Sequence, residues 1–199
     1  MEKQENIHFI DKVAEALRKA AVELEEFQVK AALGKAEAQD KYEEIKKNLD
    51  SFIQESKSKV KTGKEKVDEV HTKFDELRVQ LALGKAETLD AFKNQKKQLL
   101  TALHELEVKI KNNKALNEMY AFVLIEIEKF KAQLEVLEEK FDKGKEDAKA
   151  SFEKRKQEFD DFIEKFKAKY ASKEESRWEH FQDEISEAFT HFKSAFSKA

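Results

Sequence analysis

With 199 residues, no proline and only four glycines, the chain lacks the residues that ordinary globular folds use to turn. Charged residues make up 41% of it with interspersed signs and a net charge of −3, so no basic block suits nucleic acid. The absence of cysteine excludes a disulfide, a thiolate metal site and a cysteine nucleophile.

Sixteen Phe, three Tyr and one Trp argue against disorder. Heavy charge with a regular apolar stripe predicts an all-α protein of long antiparallel, coiled-coil-like helices. Pairs such as Glu15–Lys19, Glu43–Lys47 and Glu105–Lys109 stand at the favourable i,i+4 spacing on exposed faces.

The chain opens Met1-Glu2-Lys3-Gln4-Glu5-Asn6, without the apolar core of a signal peptide. Its longest wholly apolar run, Met119 to Ile125, is far short of the ~20 residues a membrane span needs. A cytoplasmic protein with no transmembrane segment is expected. Apolar residues then recur at three- and four-residue steps through Ile7, Ile10, Ala14, Leu17, Ala21 and Leu24, and again through Ala38, Tyr42, Ile45, Leu49 and Phe52. Ser56 to Gly63, rich in Ser and Lys, is a first candidate turn. A second seam runs Val60, Gly63, Val67, Val70, Phe74, Leu77, Leu81 and Gly84, then slips by one residue and resumes at Phe92, Leu99, Leu106 and Ile110. This reading carries the helix through Gly84. The clearest turn signal is Lys111-Asn112-Asn113-Lys114, because Asn tolerates the left-handed conformation that ends helices. A third seam follows from Leu116 through Tyr120, Val123, Ile127, Phe130, Leu134 and Leu137 to Phe166. Ser172 and Glu175 fit a capping box that opens a C-terminal amphipathic helix over 173–197.

An internal repeat aligns Glu26–Ile53 with Glu76–Leu103 at an offset of fifty residues. Leu33-Gly34-Lys35-Ala36-Glu37 matches Leu83-Gly84-Lys85-Ala86-Glu87, and Asp40, Lys46, Lys47 and Leu49 recur as Asp90, Lys96, Lys97 and Leu99. The predicted organisation is one elongated helical domain over 1–199, with repeat units of 7–55, 57–110 and 115–170. Two arrangements follow. In one, a helix over 5–111 folds back as a long hairpin, a rod of ~160 Å. In the other, the chain also turns near 56–63, giving an elongated three-helix bundle.

Every glycine precedes a lysine, but no glycine-rich run follows a strand, so no phosphate loop is present. A small residue that admits a neighbouring helix or eases a kink is the expectation, with a flex point as the functional alternative. His180, Glu184, Glu187 and His191 share one helical face and form the best metal-like group. One helix cannot wrap an ion with all four, so a solvated flank is expected, with neither a resident metal nor any other cofactor. The Phe positions at helical steps read as packing seam, with adsorption to lipid as the alternative. Acidic residues from Glu174 to Glu187 disfavour anionic membranes. The faces formed by Leu99, Leu103 and Leu106 and by Tyr120, Phe122, Val123 and Leu124 are too wide for a two-helix hairpin to bury. Either a third helix covers them or they are an association site, and association is the expectation taken.

The tandem amphipathic pattern resembles in style that of exchangeable apolipoproteins and granule-coating phasins, without the proline-punctuated repeats of the former. Helix length is similar to that of spectrin-like bundles, but Trp178 is the only tryptophan. No catalytic group stands at a telling spacing, so no enzymatic activity is expected. The expected function is that of a coiled-coil structural or scaffolding protein, a homo-oligomer or a binder of another coiled-coil protein. The alternative is a coat for lipid or other apolar surfaces, implying peripheral lipid contact. A metal-binding helical protein comes third.

Overall fold

The computed structural model describes residues 2–31, 35–59, 65–111 and 117–143, and beyond them positions 161, 163–165, 168, 184, 185, 187, 189 and 190. The molecule is all-α, and no strand occurs among the described residues. Five helices follow in order: α1 (Glu2–Ala31), α2 (Lys35–Lys59), α3 (Glu65–Leu81), α4 (Leu89–Lys111) and α5 (Asn117–Lys143). Local chemistry favours these bounds. No glycine lies inside a described helix. Acidic Glu37 and Asp90 sit in the first turns of α2 and α4, and basic Lys57, Lys59, Arg78, Lys109 and Lys111 in the last turns of α2, α3 and α4, matching the helix dipole. Thr88 caps α4, accepting the Ala91 N–H on its Oγ1 at 3.1 Å.

Cross-helix ion pairs fix the directions. Asp50 and Lys57 of α2 meet Arg78 and Asp75 of α3, so the two run in opposite senses. Glu69 and Lys73 of α3 meet Lys109 and Glu105 of α4, and Lys96 and Glu107 of α4 meet Glu138 and Lys131 of α5. Each of these successive pairs is therefore antiparallel. Among the described helices, α5 packs against α1, α2 and α4, whereas α3 packs against α2 and α4 only. From Met119 to Glu138 no α5 residue is exposed. One continuous core joins the apolar stripes of all five helices, and Ile163, Ile185 and Phe189 from further along the chain belong to it.

The seam positions Leu17, Leu24, Tyr42, Ile45, Phe74, Leu77, Phe92, Leu99, Phe130 and Leu134 are all buried. The helix lengths differ from expectation. The longest described helix has 30 residues, ~45 Å at 1.5 Å per residue, and the chain leaves the helix at 82–88, so the continuous helix over 5–111 does not form. α2 continues to Lys59, through the first half of the Ser56–Gly63 candidate, and the rest of that candidate lies outside the described residues. The Asn112-Asn113 turn signal falls between α4 and α5, also outside them. The break that the seam does not announce is 82–88, between α3 and α4. Gly84 sits there in the open, with no atom within 4 Å of where a Cβ would stand. It therefore neither admits a neighbouring helix nor kinks one. The other three glycines lie outside the described residues.

Candidate functional site

The seven residues 82–88 are held by side chains from two helices. Lys46 of α2, 2% exposed, donates to the Leu83 carbonyl at 2.5 Å. The same ammonium lies 2.8 Å from Glu43 Oε1 and 4.8 Å from the centre of the Tyr42 ring. Gln39 donates to the Glu87 carbonyl at 3.1 Å and reaches that of Ala86 at 3.4 Å. Gln95 of α4 donates to the Gly84 carbonyl at 2.8 Å and accepts from the Tyr42 hydroxyl at 3.0 Å. Burial, aided by the Glu43 carboxylate, pushes the Tyr42 phenol upward, so it stays a donor. Tyr42 also packs edge-on against Phe92 at 5.0 Å between centroids. Four carbonyls that the interrupted helix would orphan thus find donors from α2 and α4. The arrangement clamps a backbone. Its donors are occupied by that task, and it offers no nucleophile–base pair.

The counterpart of Lys46 fifty residues on is Lys96, which is 8% exposed. It turns to α5 instead, pairing with Glu135 at 2.9 Å and with Glu138. Two more lysines anchor α5. Lys129 stands 2.6 Å from both Glu23 of α1 and Glu126. Lys131 stands 2.8 Å from both Glu107 of α4 and Glu128. Burial works against the charge of each, yet the flanking carboxylates outweigh it and hold both ammonium groups above their ordinary range. In the sequence Lys46 and Lys96 stand out only as repeated letters, with no signal for their burial.

A groove of about 380 Å³ opens between α1 and α2, which touch sparingly, with α5 as its floor. That floor carries Glu126, Lys129 and Gln133, so the groove is polar at its base. It lacks the continuous apolar strip that a partner helix would need.

The predicted association residues lie in the molecule's own core. Leu99, Leu103 and Leu106 are fully buried, and Tyr120, Val123 and Leu124 are at most 4% exposed. Phe122 is half-buried, meeting Phe9 of α1 edge-on at 6.1 Å. The wide faces are thus covered by the chain's own helices, the first of the two possibilities their width allowed. Of the metal-like group, Glu184 is half-buried and Glu187 exposed, while His180 and His191 lie outside the described residues. No cluster of three or more potential metal ligands occurs among the described residues. Most of the C-terminal helix expected over 173–197 also lies outside them. No described helix is long and apolar enough to cross a membrane. No family model, no curated protein and no solved structure matches the chain.

Proposed function

We propose that the chain is a non-enzymatic amphipathic bundle that coats lipid or other apolar surfaces, turning its apolar stripes outward as the bundle opens. The observation that carries this reading is the inward concentration of apolar surface. Val22, Val79 and Val108 are the only large apolar side chains exposed among the described residues. Such a bundle stays dispersed while closed, and each helix brings an amphipathic stripe suited to an interface once released. The fifty-residue period supports a modular design in which each unit is a helix pair. α1 and α3 end fifty residues apart, at Ala31 and Leu81, and the equivalents Tyr42 and Phe92 are both buried. The setting is cytoplasmic, and contact with membranes is peripheral.

Flotation with phosphatidylcholine vesicles and with polystyrene nanoparticles tests the reading. Co-flotation is expected, with near-ultraviolet circular dichroism lost and far-ultraviolet helicity kept. A protein that stays at the bottom of both gradients with unchanged spectra is not a surface coat.

A second reading, scaffolding by self-association, is favoured by the α4–α5 contact. Leu99, Leu103 and Leu106, with the Lys96–Glu138 and Lys131–Glu107 pairs, would form equally well between two chains that exchange helices. Light scattering on a concentration series would then find a dimer that Leu103→Glu with Val123→Glu abolishes. A monomer at every concentration excludes it.

A further inference from the structure

We infer that α3 is a detachable flap, the first helix to leave the bundle, and that the Lys46 clasp on residues 82–88 is what retains it. Four observations converge. α3 is the shortest of the five helices at 17 residues. Among the described residues its backbone runs beside α2 and α4 but not beside α5 or α1. Three of its polar ties, Lys57–Asp75, Lys73–Glu105 and Glu69–Lys109, lie at exposed positions, where ion pairs contribute little. The ties of α1 and α4 to α5 are part-buried instead.

What remains is the part-buried Arg78–Asp50 bond at 2.7 Å and the clasp. Lys46 grips the carbonyl of Leu83, two residues past the end of α3, where the Ala82 and Leu83 amides still bond back to Arg78 and Gln80. Gln39 and Gln95 hold the carbonyls that follow. The segment cannot move away from α2 while these bonds stand. Once they break, Val70, Phe74, Leu77 and Leu81 come away from α2 and α4 as one apolar stripe. The opening is a property of the bundle alone. Its use, as the step that first offers an apolar face to a surface, rests on the coating reading.

Amide hydrogen exchange on the full chain in plain buffer decides the opening. Residues 67–81 should exchange as a unit at least about tenfold faster than 120–137. Lys46→Met, which keeps the bulk and removes the donor, should speed 67–81 by about tenfold more and leave 120–137 unchanged. Lys96→Met, at the equivalent position, should act on 120–137 instead. The flap is overturned if the two regions exchange together, or if Lys46→Met speeds both alike. A second arm tests its use. The chain has no cysteine, so Lys57→Cys with Asp75→Cys can be joined by a reducible dithiol cross-linker across α2 and α3. The linked protein should fail to float with phosphatidylcholine vesicles and recover on reduction. Floating while linked overturns the flap as the opening step but spares the coating reading. No flotation in either state ends the coating reading, and the exchange rates by themselves then uphold or overturn the flap.

Discussion

Along α5 the apolar run Met119–Ile125 gives way to charged residues interspersed with apolar ones from Glu126 to Glu138, yet no position from Met119 to Glu138 is exposed; along α3 interspersed charge leaves Asp75, Glu76 and Val79 in solvent. The difference is in the partners. Glu23 and Glu107 reach α5 lysines from neighbouring helices, so α5 is surrounded without stranding a charge. α3 has one wet side and relies on an apolar stripe, the part-buried Arg78–Asp50 pair and a clasp at its end. An amphipathic pattern therefore does not say how deep a helix lies. What decides is whether the charges on its far side meet charges on other helices.

The sharpest way to break the comparison is Val123→Asp in α5. An uncompensated carboxylate at a site 1% exposed should cost more than about 4 kcal/mol, enough to unfold a marginal domain. The same change at Val108, 42% exposed, should fall within about 0.5 kcal/mol. A Val123→Asp protein with native thermal and urea unfolding would remove α5 from the centre.

Phe130→Ala and Phe74→Ala come next. Both rings are at most 1% exposed, and cavity formation at Phe130 should cost about 3–5 kcal/mol in urea titrations. At Phe74 the loss is capped by the docking of α3 itself, so a global probe should report less there. Equal losses would mean that α3 and α5 unfold as one unit.

Alkaline titration should act on α5. Lys129 and Lys131 carry folded-state values above the ordinary 10.5. The stability they contribute is therefore full below pH 10.5 and lost as pH rises through the raised values. Tyr42 is shifted upward too, from 10.0, and works in the same direction on the clasp. The acid side touches α3. The hydrogen bond and charge of Lys73 hold the Glu105 carboxyl below 4.5, so its contribution is present above that pH and lost below it. Melting temperature followed from pH 8 to 11.5 should fall, and Lys129→Met with Lys131→Met should flatten the slope. A slope that survives both substitutions assigns the effect elsewhere.

The smallest effect belongs to Gly84→Ala. Nothing stands within 4 Å of the added carbon, so loss of unfolded-state freedom should stabilise the protein by about 0.4–1 kcal/mol. A lower melting temperature would reveal a neighbour that the structure does not place there.

Composition and periodicity made the helical class and most of the core legible, because an apolar stripe at 3/4 spacing depends only on the helix that carries it. The break at 82–88 was not legible. Leu81 and Gly84 continue the seam, and the bonds that compensate the broken ladder come from Gln39 and Lys46, 48 and 37 residues away from the carbonyls they serve. Thr88 was a cap signal in plain view, but without Glu or Gln at the third position it was not a capping box. Lys46 and Lys96 show the remaining limit. Duplication marked both, yet identical letters took a loop carbonyl in one case and two glutamates in the other. A partner is a property of the assembled bundle, and a seam in one helix carries no information about it.

That the centre of the bundle is its fifth described helix has a consequence for synthesis. A ribosome releases α1 to α4 first, at roughly 5–20 residues per second. For several seconds the nascent chain must hold four amphipathic helices around a place that is still inside the exit tunnel. α2, α3 and α4 can pair with one another in that interval, but among the described helices α1 finds nearly all of its packing on α5 and must wait for it. The first thirty residues are therefore where a holding chaperone would be of most use, and a chain arrested before residue 117 should be the form most prone to aggregate.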